Sequence, residues 1–234
     1  MERLRTSCQF EFQLNFPHCS NNGSFKIIFH NVQSLRKNIE FVRRSVIYRH
    51  CAVVLLCETW LTSDDQSADL MLEDFRLFRF DYLTPHDTRP HAGIAIYVHE
   101  AYQTDATVEP EIHFGVQFGQ FVFKGIRCLL VHRRPSSTNV PNFRRALRLI
   151  LSSFNPTIIV GDFNERVNSA DHWLISLFSD LGYSQKIQSA TTDDNTTLDL
   201  VFSLTSCETA ILESAFSFHK PLYVALPFPF DEEI

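Results

Sequence analysis

Between residues 156 and 164 the chain reads Pro-Thr-Ile-Ile-Val-Gly-Asp-Phe-Asn, and few folds can hold that stretch. Ile158, Ile159 and Val160 are β-branched and lie between Pro156 and Gly161, the pattern of a buried strand. Asp162 and Asn164 leave that strand one position apart, which puts a carboxylate and a carboxamide on one side of an extended segment. In α/β proteins ligands bind at the carboxyl ends of strands, where a rigid base presents side chains. Gly, Asp and Asn also favour turns for backbone reasons. Other stretches must decide between a turn and a site.

The same ending recurs along the chain. Residues 25–31 form a strand pattern ending in Asn31, and residues 52–58 run Ala-Val-Val-Leu-Leu-Cys before Glu58. Between them Leu35, Ile39, Val42 and Val46 fall at helical spacing, so the first third reads as a βαβ-like unit. Short strands are expected at 75–81, 94–98, 113–118 and 121–131, with a hairpin turn at Gly119-Gln120. An amphipathic helix follows over 142–154, then the strand before Asp162, then a helix over 170–181 ended by Gly182. Strands over 197–202, 209–215 and 222–226 close the pattern. Residues 1–24 end in Ser-Asn-Asn-Gly-Ser and read as an arm or linker, with alternating Phe10, Phe12, Leu14 and Phe16 able to add an edge strand. Residues 25–228 form the expected domain, and 229–234 a tail.

Composition narrows the class. An apolar share of 44% with 22 Phe marks a globular chain with an aromatic core. A net charge of −6 argues against holding nucleic acid by bulk charge, while leaving room for a local basic groove. Six Cys lack any paired spacing, and Cys51, Cys57 and Cys128 lie in apolar runs, so buried free thiols are expected in a reducing, intracellular compartment. No signal peptide or membrane span is visible, and no membrane association is expected. Helices between groups of strands, some antiparallel, suggest two sheets packed face to face with helices outside.

Acidic residues are depleted in apolar runs unless something offsets their desolvation. Glu58 and Asp199, the latter inside Thr-Leu-Asp-Leu-Val-Phe, break that rule, although a structural salt bridge could explain either. Asn31, Glu58, His132, Asp162, Asn164, Asp199 and His219 together suit phosphodiester hydrolysis. Glu58 with Asn31 close by supplies oxygen ligands to a hard divalent cation. Asp162 can orient and deprotonate water, Asn164 can donate to a phosphate oxygen, and His219 can donate as charge builds if Asp199 holds its ring. Arg36 and Lys37 after one strand, and Arg133 and Arg134 after another, are candidates to meet a phosphate backbone. Arg144, Arg145 and Arg148 read as a solvated helix face. Trp60 can stack on a base or sugar, or pack in the core.

These motifs, in this order, resemble the endonuclease/exonuclease/phosphatase superfamily. Asn-Val-Gln-Ser-Leu, Glu-Thr-Trp-Leu and His-Lys-Pro are similar to the endonuclease domains of non-LTR retrotransposons and Helitron-type elements, with the match spanning residues 25–226. The resemblance implies a four-layer α/β sandwich of two mixed β-sheets, Mg²⁺ dependence and nicking of DNA, with a nuclear setting expected. It carries metal binding to Glu58 with Asn31, water positioning to Asp162, phosphate contact to Asn164 and His132, and an orienting pair to Asp199 and His219. Two positions depart from the pattern. Ser217-Phe218-His219 stands where Ser-Asp-His is usual, removing a carboxylate beside the cation, and His132-Arg133-Arg134-Pro135 stands for Tyr-Arg-x-Pro. The missing carboxylate at Phe218 would make Mn²⁺ the favoured ion. Alternative readings are a phosphatase of the same superfamily acting on a small phosphate ester (lipid or nucleotide), a DNA-binding module weakened by Phe218, and a purely structural domain.

Overall fold

The computed structural model describes residues 23–81, 91–135, 139–167, 169 and 171–228. Residues 1–22 of the expected arm (1–24), with its edge strand, the tail, Cys8 and Cys19, lie outside them, while Ser24 already belongs to the first strand. In chain order the first elements are β1 (Ser24–Asn31), α1 (Leu35–Arg44), α2 (Val46–Arg49), β2 (Val53–Cys57), β3 (Phe75–Phe80) and β4 (Ile94–His99). There follow β5 (Ala106–His113), β6 (Val116–Phe123), β7 (Ile126–Arg133), α3 (Val140–Phe154), β8 (Ile158–Asp162) and α4 (Trp173–Asp180). The last strands are β9 (Ser184–Gln185), β10 (Asp199–Ser203), β11 (Glu208–Ile211) and β12 (Leu222–Pro227).

The strands form two six-stranded mixed sheets, ordered β11-β12-β1-β2-β4-β3 and β5-β6-β7-β8-β10-β9. Each contains one parallel pair, β1 with β2 and β7 with β8, joined by crossovers through α1–α2 and α3. Strand parity explains the layering. Phe25, Ile27 and Phe29 of β1 face Phe121, Cys128, Leu130 and Val160 across the gap between sheets, while Ile28 faces outward. Both faces are buried, which is why these strands read as continuous apolar runs. Phe25 stacks on Phe121 and Phe123 at centroid distances of 5.9 and 5.3 Å. Leu35, Ile39 and Val42 of α1 cover the outer face of the first sheet, and Phe143, Leu147 and Ile150 of α3 that of the second. Burying each such side chain contributes about 1.5–3 kcal/mol. The result is the expected four-layer α/β sandwich.

Several boundaries differ from expectation. Ser45 is extended and stops α1, so Val46 begins a separate turn and lies 57% exposed. Gly119-Gln120 is not a turn. The turns are Phe114-Gly115 and Lys124-Gly125, where both residues have positive φ as tight hairpins require. Gly119 sits mid-strand, where an added Cβ would come 2.9 Å from Ile96 of the facing sheet. The expected strand over 209–215 ends at Ile211, and α4 begins at Trp173. Cys51, Cys57 and Cys128 are buried free thiols, as expected, and burial pushes Cys51 and Cys128 up to about 12. Among the described residues no helix is long and apolar enough to cross a membrane.

Candidate active site

The polar strand ends meet at one edge of the gap between the sheets. β1, β7 and β8 finish there, and β10, antiparallel to β8, begins there, so His132 and Asp199 both pair in register with Asp162. Asn31, His132, Asp162 and Asp199 continue the parity of the core residues below them and point between the sheets. Gly161 makes this register possible. A Cβ at that position would lie 1.9 Å from the carbonyl oxygen of Val131, so only glycine lets β8 run this close to β7. Glu58 stands just beyond β2 with φ of 50°, held where Ser34 donates its backbone N–H to the Glu58 carbonyl at 2.9 Å. A left-handed conformation at a non-glycine residue costs energy and recurs at ligand sites.

Asn31 bridges two carboxylates: its Nδ2 donates to Glu58 Oε1 at 3.0 Å and to Asp162 Oδ2 at 2.9 Å. Asp199 Oδ2 lies 2.8 Å from Nδ1 of His219, whose Nε2 is 3.9 Å from Asp162 Oδ2. Burial opposes protonation of His219, but the charges of Asp199, Asp162 and Glu58 outweigh it and hold the imidazolium up to about 9. Burial, then the charge of Asp199, pushes the Asp162 carboxyl well above the usual carboxylate range, against the pull of His219 and Asn31. His132 is fully buried, and burial together with Arg134 lowers it to about 3, so it is neutral. Asn164, at φ 47°, turns its backbone N–H to Asp162 Oδ1 at 2.9 Å and its amide to the Arg133 carbonyl at 2.8 Å. It thereby fixes the Asp162 carboxylate. It does not continue the strand, as an extended reading required.

The arginines separate into two groups. Arg36 on α1 is 80% exposed and reaches Asp65 at 3.4 Å, a contact open to solvent. Arg134 is half-buried beside His132. Arg133 does not stand on a rim: it is buried, pairs with Glu165 and lies over the Phe143 ring at 4.7 Å. Arg144 and Arg145 are exposed on α3, with their guanidinium groups over Trp173 and Phe114. Trp60 is half-buried, edge-on to His91 at 4.6 Å. Phe218 is half-buried with its ring edge-on to His219 at 5.5 Å, its N–H bonded to Gln33 Oε1 and its carbonyl to the Asp193 N–H.

Sequence reasoning missed a supporting shell. His30 is buried on the opposite face of β1, with Nε2 2.8 Å from the His219 carbonyl and Nδ1 2.7 Å from the Tyr48 hydroxyl. Ser217 Oγ donates to the Asn31 carbonyl at 2.6 Å, and the Thr191 hydroxyl accepts from the Asp199 N–H at 3.1 Å. The available signal was a histidine inside an apolar strand, which needs partners when buried.

No protein-family model and no curated protein matches the sequence. Solved structures do match it. The endonuclease domain of TRAS1, a telomere-specific non-LTR retrotransposon, superposes with a TM-score of 0.62 at 15% identity, covering 88% of this chain and 99% of that one. An endonuclease/exonuclease/phosphatase family protein from Leptotrichia buccalis gives 0.58 at 14% identity, covering 87% and 100%. The chain has the endonuclease/exonuclease/phosphatase fold. The 3′ phosphatase NExo from Neisseria, bound to product DNA hairpin, is also similar, at 0.58 and 15% identity over 86% of this chain and 98% of that one.

Within this endonuclease/exonuclease/phosphatase fold the residues suit a cation. Among the described residues three acidic side chains, Glu58, Asp162 and Asp199, are buried around a single imidazolium, and Asp199 Oδ1 has no hydrogen-bond partner. Such an excess of buried negative charge is costly unless a cation offsets it. Asp162, Asp199 and His219 each offer one ligand atom within 4.8 Å of the others. The Asn31 amide, as oriented, shows nitrogen to the carboxylates; a hard cation takes the oxygen, so ligation by Asn31 requires the amide to turn.

Proposed function

We propose that the chain is a divalent-metal-dependent phosphodiester hydrolase that nicks DNA, acting in the nucleus. The observation that carries this reading is the 3.9 Å gap between Asp162 Oδ2 and His219 Nε2, with Asp199 behind His219. It places a carboxylate and a cationic donor face to face at the strand edge. Glu58 would hold the metal, with Asn31 turned to present Oδ1. When bound, the cation polarises a phosphoryl oxygen and steadies the departing alkoxide. Asp162, its proton affinity already raised, takes the proton of an attacking water. His219 donates from Nε2 to the phosphate as charge builds, and Asp199 holds the ring in the orientation that allows it. Asn164 keeps Asp162 aimed. Arg36 and Arg134 are the rim cations suited to a phosphate backbone, whereas Arg133 braces the end of β7 through Glu165.

DNA is favoured over a small phosphate ester by the similar structures, one a retrotransposon endonuclease domain and one a phosphatase bound to a DNA hairpin. The second also makes a 3′-phosphate on DNA the principal competing substrate. Incubation with supercoiled plasmid and with a 3′-phosphorylated hairpin, in Mg²⁺, Mn²⁺ or EDTA, separates the two. Metal-dependent conversion to open circles supports nicking, and release of inorganic phosphate alone supports the phosphatase. Binding without either reaction would make the chain a catalytically weakened DNA-binding module.

A further inference from the structure

The fully buried His132 has a tautomer dictated by its neighbours. Gly93 donates its backbone N–H to the Gln117 side chain at 2.9 Å, so the atom it meets must be the amide oxygen. That same oxygen lies 3.0 Å from His132 Nδ1. Oxygen cannot donate, so Nδ1 carries the proton and Nε2 is left with a lone pair. Among the described residues Nε2 is buried without a hydrogen-bond partner, and 3.9 Å away stands Glu58 Oε1.

A lone pair aimed at a carboxylate is unfavourable unless a cation lies between them. The separation is too long for a hydrogen bond. It exceeds by about half an ångström the spacing of two ligands with bonds of about 2.0–2.2 Å at a tetrahedral angle. Nor does this tautomer suit phosphate contact, since a phosphodiester offers Nε2 no proton.

We infer that His132 is a nitrogen ligand which, with Glu58, makes this a site for a borderline divalent transition ion (Zn²⁺ or Co²⁺) in preference to Mg²⁺. Imidazole suits such ions, whereas Mg²⁺ takes oxygen and water. Gln117 and Gly93 act at one remove, as the partners that orient a ligating histidine. Gly93 is itself confined: φ is 96°, and an added Cβ would meet Thr59 Oγ1 at 2.3 Å. The inference deepens the metal-dependent reading of the site, yet metal binding can be measured without catalysis.

The test is titration of Co²⁺, Zn²⁺ and Mg²⁺ into the metal-free full chain, followed by calorimetry and by the visible bands of Co²⁺. Parent protein should bind Co²⁺ more tightly than Mg²⁺, and His132→Gln should weaken Co²⁺ by about tenfold or more while changing Mg²⁺ little. Equal Co²⁺ affinity in parent and His132→Gln would overturn the inference. If His132→Gln fails to fold, long-range ¹⁵N–¹H spectra of the parent decide. Nε2 unprotonated in the free protein and shifted by Zn²⁺ supports ligation; a protonated Nε2, or one that ignores Zn²⁺, rejects it. Tight Co²⁺ binding by a chain that cleaves nothing would leave the ligand assignment standing and remove the hydrolase reading. Nicking in Co²⁺ with the same Co²⁺ requirement with and without His132 would do the reverse.

Discussion

Asp199 is hydrogen-bonded to His219 Nδ1 through Oδ2 at 2.8 Å, while its Oδ1 is buried with no hydrogen-bond partner among the described residues. The carboxylate can therefore serve as an orienting partner through one oxygen or as a metal ligand through the other. Asp199→Asn separates these roles. If Asp199 orients His219, cleavage should fall by roughly 10²- to 10⁴-fold, the range typical of acid–base groups, with divalent affinity nearly unchanged. A parallel loss of metal affinity would move Asp199 into the coordination shell.

In metal-free protein the same cluster predicts a loss of stability at alkaline pH. His219 is held up to about 9, above its ordinary 6.5, so between those values the folded chain keeps a proton that the unfolded chain has lost. Its stabilisation is complete below pH 6.5 and disappears as pH rises through about 9. Asp162 is also raised, so it too holds its proton longer in the folded chain and adds loss of the same sign above the ordinary carboxylate value. The His219 contribution is on the order of 3 kcal/mol at most. Urea midpoints in EDTA should fall between pH 6.5 and 9.5 in the parent and much less in His219→Gln. Parallel curves for the two proteins would refute the assignment.

Glu58→Gln keeps shape but removes the charge that would hold a divalent cation. Metal-dependent cleavage should drop by roughly a hundredfold or more, since the metal supplies several kcal/mol to the transition state. Nicking at parental rate in the same Mg²⁺ would show that the cation, if any, is held elsewhere.

Gly161→Ala tests the architecture under the site. The added methyl cannot fit 1.9 Å from the Val131 carbonyl, and that atom is backbone, so β7 and β8 must separate. Destabilisation of about 3 kcal/mol or more is expected, at the upper end for single substitutions. A thermal midpoint within 2 °C of the parent, roughly the shift of 1 kcal/mol or less for a chain this size, would show that the strands can slide apart cheaply.

How much of this was legible depended on whether a residue contradicts its local setting. Glu58 and Asp199 break apolar runs, and a desolvated carboxylate is conspicuous in any reading of the chain. Two facing sheets followed from helices set between groups of strands, and the four layers from the family resemblance. Gln117 and Ser217 lie in segments where polar residues raise no alarm, and their value comes only from partners 15 and 186 residues away. Arg133 was misplaced for the same reason: its partner Glu165 lies 32 residues away in an irregular segment. Gly119 was read as a turn because glycine signals flexibility along the chain but also space across it, and only the facing Ile96 tells which applies.

Phe218 is where the site can be repaired. Its backbone is clamped on both sides, by Gln33 Oε1 and by the Asp193 N–H, so a replacement side chain should leave from the same point. Its ring, edge-on to His219, offers no ligand for a cation. A carboxylate there would add an anionic oxygen donor beside Glu58 and Asp162, and hard cations gain most from such donors. Phe218→Asp should therefore lower the Mg²⁺ needed for half-maximal nicking by about tenfold, equivalent to about 1.4 kcal/mol. The gain for Co²⁺ should be smaller, because a site that already includes the His132 nitrogen holds borderline ions without it. Side-by-side metal titrations of nicking by parent and Phe218→Asp check both statements. An unchanged Mg²⁺ requirement at unchanged rate would show that this position does not face the cation, and an equal gain for both ions would remove His132 from the account of metal preference.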